Sequence, residues 1–478
     1  IGYRQSSWAG YGALTSFTYQ LDYRGFNFLY SIMGNLVPRT ESVLINRVWK
    51  QYRKNEKCRK MTLYAQCLSS PDITFLLSRW DEVCNRKTEY ILCIPMPLNH
   101  KERRKIKKIE LVQCSFRDAN AVHLLVKFMQ VMGEDLEALY IQDGGGGFGP
   151  HILGHLDESL LTIIFTGIQK LQHLKRLYLS YMDLKVVHLK DMMEKSTNIQ
   201  SLDLCGCQLD DSTFMEFLKG LQSHRSGLQY LEICDEILCD TRLQLLVDGL
   251  IGSKTQTSLK HLAINDNPIT HRSFESLSKI LSQFHNLRKL NVRYCAHLFD
   301  DVEQEKNNYL AFTQALKSND TLHNLNLCWC VINDQLAVPL FSALEENSSL
   351  KVLDVRAPRR MGALHSASHS IPKMKGLQRL YANLPYGSPE LQNELHQNTS
   401  LTSVFNEFGI CPGDKLVRHI LRRNQMLQKI VSLLNSRIRL NAGAWAYCIE
   451  RVMREASGDM TTVYAFMVNF SGELTPYS

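Results

Sequence analysis

Leu322-His-Asn-Leu325-Asn-Leu327-Cys-Trp-Cys330 decides the fold. Leucines at the first, fourth and sixth positions alternate as a strand requires, and the ninth residue is a small side chain where the chain must turn. The same spacing recurs on both sides. Clear copies are Leu174/Leu177/Leu179, Ile199/Leu202/Leu204, Leu228/Leu231/Ile233, Leu259/Leu262/Ile264, Leu287/Leu290/Val292 and Leu350/Leu353/Val355. Weaker copies start at Ile106, Leu136, Leu377, Leu401 and Leu427. Most units are about 28 residues long, which leaves room for a helix after each strand.

The turn position repeats the message. It holds Cys114, Cys207, Asn267, Cys295 and Cys330, with Gly144, Met182 and Glu236 as departures. A small thiol or an amide facing inward there satisfies backbone groups that the turn leaves unpaired. Between strands the apolar spacing becomes helical, as in Phe214, Phe217, Leu218 and Leu221 or Leu277, Ile280, Leu281 and Phe284. Neither strand nor helix can bury its apolar side alone, so neighbouring units stack into one continuous core. The expected architecture is α/β: a curved leucine-rich-repeat solenoid of about 11–12 strand-helix units over residues 106–434, with a parallel sheet on its concave face.

Residues 1–105 show no repeat and hold nine aromatics before residue 31, among them Trp8, Tyr19 and Tyr30. They are expected to form an α-rich N-terminal cap or small domain ending in the proline-containing stretch 95–100. Residues 435–478 are expected to form a helical C-terminal cap. Charge follows the same division. Residues 1–108 hold 19 Lys/Arg against 8 Asp/Glu, residues 109–413 hold 27 against 34, and residues 414–478 hold 9 against 5. An acidic middle lies between basic ends, within a net charge of +8.

The motif L-x-x-N-x-[ST]-L precedes several strands: Leu316-Lys-Ser-Asn-Asp-Thr-Leu322, Leu344-Glu-Glu-Asn-Ser-Ser-Leu350 and Leu395-His-Gln-Asn-Thr-Ser-Leu401. With the 28-residue period it resembles the ribonuclease-inhibitor-like class of leucine-rich-repeat proteins. That resemblance covers roughly 106–434 and implies a horseshoe, made uneven by the insert around Gly144 to Gly147 and the irregular unit after Leu350. The segment Leu440 to Trp445, with Val463 to Phe466, is similar to the C-terminal cap of repeat proteins common in microalgae.

Several motifs lose to plainer readings. Cys205-Gly-Cys207 and Cys328-Trp-Cys330 lack the Cys-x-x-Cys spacing usual for zinc, and their two cysteines point to opposite faces. No metal or cofactor is expected. Gly144 to Gly147 has no Gly-Lys-Ser/Thr after it and reads as an insertion loop. No ordered catalytic triad is present, so no catalytic residue is named. Asn347 and Asn398 lie in glycosylation sequons but also at the fixed repeat position, which explains them better; Asn469 lies in a third sequon. Fourteen cysteines spread along the repeat point to buried, reduced thiols and a cytoplasmic or nuclear location. The longest apolar stretch, Leu160 to Ile168, cannot cross a bilayer. A chain that opens on Ile1 reads as a processed or incomplete product.

Arg47 to Lys60 and Lys101 to Lys108 are strongly basic, with Trp49 and Tyr52 in the first. The plain reading is a solvated helix face and a charged linker. The alternative is contact with nucleic acid or an anionic surface.

Residues between the inward leucines line the opposite face. That places Tyr140, Tyr178, Tyr181, Asp203, Tyr230, Glu232, Asp235, Asp266, Arg293, Tyr294, Trp329, Arg356 and Tyr381 on the concave side, with Tyr178, Tyr181 and Tyr230 expected in one aromatic patch. Tyr, Trp and Arg anchor interfaces more than other residues. The favoured function is a non-enzymatic scaffold or sensor binding a protein partner, one with a basic surface opposite the carboxylates. The alternatives are a ubiquitin-ligase substrate receptor, with Val37 to Trp49 as a degenerate F-box-like element, and a Ran-type GTPase-activating protein.

Overall fold

A computed structural model describes residues 60–64, 67–68 and, apart from short stretches, residues 107–435. The expectations for residues 1–59, Cys114, Gly144 to Gly147 and 436–478 lie outside the described residues. The chain divides into two compact units, 1–183 and 184–478. Each is a stack of leucine-rich repeats.

The first unit holds β1 (Lys60–Tyr64), β2 (Cys67–Leu68), β3 (Lys108–Val112), β4 (Ser115–Phe116), α1 (Ala119–Val131), β5 (Ala138–Gln142), α2 (Glu158–Ile168) and β6 (Arg176–Ser180). β1, β3, β5 and β6 pair in parallel, and β2 pairs with β4. The ladder therefore starts upstream of residue 106. Met61 and Leu63 stand in register with Ile109 and Leu111, and in the sequence Cys58 stands three residues before Met61, where other copies have a leading Leu or Ile. With Cys and Met at two of the three key positions, this copy escapes a search for leucine spacing.

The second unit runs α3 (Val186–Lys195), β7 (Ser201–Asp203), α4 (Asp211–Ser223), β8 (Tyr230–Glu232), α5 (Asp240–Leu250), α6 (Lys254–Ser258), β9 (His261–Ala263), α7 (Phe274–Gln283) and β10 (Lys289–Asn291). It continues through α8 (Lys306–Ser318), β11 (Asn324–Asn326), α9 (Asp334–Glu346), β12 (Val352–Asp354), α10 (His365–Ser368), β13 (Arg379–Tyr381), α11 (Pro389–Gln397), β14 (Ser403–Phe405) and α12 (Lys415–Asn435). All eight strands are parallel. Leu202, Leu231, Leu262, Leu290, Leu325, Leu353, Leu380 and Val404 stand in one row across them and are buried. Helices cover the inward face with the sides the spacing indicates, such as Phe214, Phe217, Leu218 and Leu221 of α4. Several start on side-chain caps: Asp210 accepts the Thr213 N–H at 2.7 Å, and Asn333 accepts that of Leu336 at 2.9 Å. The long step from Leu287 to Leu322 is filled by an aromatic cluster of Phe274, Phe299, Tyr309 and Phe312.

Two ladders of polar side chains tie neighbouring repeats. At the turn, Asn267 donates to the carbonyls of Ile233 and Ile264, both at 2.9 Å, and accepts the Leu238 N–H. Cys295 and Cys330 do the same with thiols, donating to the carbonyls of Ile264 and Val292. Before the strand, Asn347 donates to the carbonyls of Leu316 and Asn319, each at 2.7 Å, and accepts the N–H groups of Ser349 and Leu350. Asn398 repeats the pattern on Ile371 and Met374, and Asn424 on Asn398 and Leu401. These amides close orphan carbonyls at the end of the preceding helix and in the loop beyond it. Asn347 and Asn398 are buried with both amide donors engaged, so neither is a glycan acceptor in the folded chain.

Thiol labelling of the native protein should spare Cys207, Cys295 and Cys330, which are buried, and among the described cysteines reach the exposed Cys239 first. Fast native modification of Cys295 or Cys330 would put the turn ladder outside the core.

Candidate functional site

Within the second unit, the residues between the core leucines form rows on the strand face away from the helices. One row runs Asp203, Glu232, Ala263, Asn291, Asn326, Asp354, Tyr381 and Phe405. Its Asp and Asn members shape the strand end. Asp203, Asn291, Asn326 and Asp354 each accept the N–H of the residue two places on, at 2.9, 3.3, 3.0 and 3.2 Å. These side chains serve the backbone; Asp203, Asn291 and Asn326 are half-buried and Asp354 is buried.

The chain then turns on a residue in the left-handed region. In successive repeats of the second unit that residue is Gly206 (φ 65°), Asp235 (69°), Asp266 (58°), Tyr294 (61°) and Trp329 (64°), and in the first unit Tyr181 (57°) takes the same conformation. The geometry is enforced by pairing. Gly206, Asp235, Asp266, Tyr294 and Trp329 donate their N–H groups to Cys234, Asn265, Arg293, Cys328 and Arg356, at 2.7 to 3.2 Å. Only glycine adopts this conformation freely; other residues lose about 1–2 kcal/mol there. Two tyrosines and a tryptophan hold positions where glycine would be the stable choice.

Charge divides this face. Asp203, Glu232, Asp235 and Asp266 lie toward β7, β8 and β9. Burial, and then the charge of Glu232 on the neighbouring strand, push the Asp203 carboxyl up to about 7. Burial also raises Asp266. Tyr230 donates its hydroxyl to Glu232 and meets His261 edge-on, with ring centres 4.5 Å apart. Burial, and then Lys289, lower the His261 imidazole to about 4, so it is neutral at physiological pH. Toward β10 to β14 the face becomes cationic and aromatic. The Arg293 guanidinium lies 5.5 Å from the Tyr294 ring, which lies 6.0 Å from Trp329. Arg356 is gripped by Asp354 through hydrogen bonds of 2.9 and 2.6 Å and lies 5.0 Å from Tyr381, itself stacked on Phe405 at 4.4 Å.

In the first unit, Tyr140 and Tyr178 pack with ring centres 5.9 Å apart under the ammonium of Lys108. Of the expected aromatic patch, Tyr178 and Tyr181 belong to the first unit and Tyr230 to the second. Tyr178 follows the second core leucine, Tyr230 precedes it, and Tyr181 lies in the turn beyond. Period-two alternation sets Tyr178 and Tyr230 opposite the core leucines, whereas Tyr181 shares the parity of Leu177 and Leu179 and sits where the backbone turns left-handed. Phe405, His261 and the Asp354 partner of Arg356 escaped the sequence reading; listing the fifth residue of every unit would have found Phe405 and Asp354.

Cys328 is buried near Asp354, Arg356 and Arg293, and burial raises its thiol to about 12. Among the described residues, no three His, Cys, Asp or Glu side chains converge as a metal site, and no helix is long and apolar enough to cross a membrane.

Asp203→Asn should stabilise the protein at high pH. A carboxyl raised from 3.8 to about 7 on folding gives stability that is complete below 3.8 and lost as pH rises through 7. The neutral amide escapes that loss and keeps the acceptor for Cys205. Urea midpoints at pH 5 and pH 8 should show the variant's advantage growing with pH; a constant difference would deny the raised carboxyl.

No known protein-family profile matches the chain, and no curated protein matches it. Among solved structures it is similar to the crystal structure of a TLR13–ssRNA13 complex, with 16% identity, a TM-score of 0.33, and 63% of this chain covered. The chain spans 40% of the length of that neighbour.

Proposed function

We propose that the chain is a non-enzymatic interaction scaffold that binds a protein partner on the strand face of its repeats. The observation that carries this reading is the left-handed row. Tyr294 and Trp329 of the second unit stay half-exposed at positions that cost stability for any residue but glycine, and backbone strain of this kind gathers at binding sites. Tyr, Trp and Arg are also the side chains whose truncation most often costs binding. The asparagine clamps and the 28-residue period support a ribonuclease-inhibitor-like repeat. Buried free thiols fit a reducing compartment, the cytoplasm or nucleus. No described residue favours the ubiquitin-ligase or GTPase-activating alternatives.

Affinity purification with mass spectrometry would supply a partner. Tyr230→Ala and Trp329→Ala should then weaken its binding at least about tenfold, or 1.4 kcal/mol, without lowering the denaturation midpoint. Met215→Ala, on the exposed side of α4, should do nothing. Loss through Met215 with the face variants silent would move the interface to the helices.

A further inference from the structure

We propose that the sheet face of the second unit takes an extended, dipolar segment of a protein partner, with a Lys or Arg over Asp203, Glu232, Asp235 and Asp266 and an Asp or Glu carboxylate on Arg293. This rests on the reading that the face binds a protein.

The two arginines of the face make the case. Arg293 and Arg356 occupy the same repeat position, two strands apart. Two residues before Arg356 stands Asp354, which holds the guanidinium with two hydrogen bonds. Two residues before Arg293 stands Asn291, whose oxygen takes the Arg293 N–H and whose amide donates to Asn265. The built-in counterion has been replaced by a neutral amide. Among the described residues the Arg293 side chain has no ion pair, and its Nε is shielded from solvent without an acceptor. Arginine cannot discharge itself by losing a proton, and a shielded donor left unpaired is costly. A carboxylate from outside would complete at Arg293 what Asp354 completes at Arg356, in the planar two-pronged geometry guanidinium favours. Tyr294 and Trp329 wall the place with aromatic surface.

The other pole, Asp203, Glu232, Asp235 and Asp266, is also without an ion pair among the described residues, although the Arg293 charge reaches Asp266 and partly offsets the rise that burial causes there. Asp203 accepts a backbone N–H, Glu232 a tyrosine hydroxyl and a thiol, and Asp266 an amide. The two poles are contiguous, with Asp266 and Arg293 on neighbouring strands. Strands lie about 4.8 Å apart, so the acidic positions fall about 5 to 14 Å from Arg293's strand. An extended segment rises about 3.3 Å per residue. Its acidic and basic side chains should therefore stand about two to four residues apart. Nucleic acid is disfavoured, because a polyanion laid on Arg293 would cross four carboxylates.

The test is to pan a displayed library of short random peptides against the full chain. Enriched peptides would be measured by fluorescence anisotropy on the wild type, Arg293→Gln, Arg293→Glu and Trp329→Ala. Enriched peptides should carry Asp or Glu about two to four residues from Lys or Arg. Both arginine variants should weaken them at least about tenfold. A peptide with its carboxylate changed to lysine should lose affinity for the wild type and regain it on Arg293→Glu; the wild-type half of that comparison needs no protein variant. Peptides that lose affinity on Trp329→Ala but carry no charge pair and ignore Arg293 overturn the dipolar partner and leave the face reading standing. Peptides insensitive to both sites, or no enrichment, overturn both. Binding of a poly-uridylate probe that depends on Arg293 would also overturn the proposal, in favour of nucleic acid.

Discussion

Asn347→Ala should destabilise the second unit by about 3 kcal/mol or more, an effect on the scale of removing a core leucine. The side chain makes four hydrogen bonds in a buried setting: two donated to the carbonyls of Leu316 and Asn319, two accepted from Ser349 and Leu350. Truncation leaves the Ser349 and Leu350 N–H groups without partners and takes one of two donors from the carbonyls of Leu316 and Asn319, and a buried polar group left unpaired costs about 1–3 kcal/mol. Asn347→Asp should fare no better, since it sets carboxylate oxygens against two carbonyls. Asn286, exposed and donating once to Thr257, is the control, and its alanine variant should lose under about 1 kcal/mol. Urea midpoints, with slopes compared to confirm cooperative unfolding, would measure all three. Equal losses at Asn347 and Asn286 would show that the clamp adds nothing beyond an ordinary surface contact.

Leu262→Ala should cost about 2–5 kcal/mol as a core truncation. Leu262 is 1% exposed and stands in register between Leu231 and Leu290, so the cavity opens against both neighbouring repeats. Each repeat is stable chiefly through its interfaces, so the damage should spread. Hydrogen exchange should show amides of β8, β9 and β10 losing protection together. An unchanged denaturation midpoint would mean that this leucine does not face the core.

The core was legible because leucine at fixed spacing has one physical use: the row from Leu202 to Val404 follows from alternation alone. The pre-strand asparagines were legible as a motif, and their bonds explain why it recurs. The strand Lys60–Tyr64 was hidden because its sequence, with Met61 in register with Ile109, lacks the leucine signal. The left-handed turn was hidden for a different reason. Glycine normally marks such a backbone, and only Gly206 does so here, while Tyr294 and Trp329 read as ordinary strand-end aromatics. The contrast between Arg293 and Arg356 was out of reach, since it depends on which side chains meet. Both arginines were named for the face, but the neutral Asn291 beside one and Asp354 beside the other acquire meaning only through the hydrogen bonds.

The asparagine clamp also bears on how the chain matures on the ribosome. Every such amide reaches backward: Asn319 to Leu281, Asn347 to Leu316, Asn398 to Ile371, Asn424 to Leu401. A repeat that has left the exit tunnel still has open carbonyls until an asparagine 23 to 38 residues later emerges to close them. Translation thus imposes an order of completion, each newly synthesised unit finishing the one before it, and a nascent chain stalled at Ser318 ends in a repeat whose helix end has no closing amide.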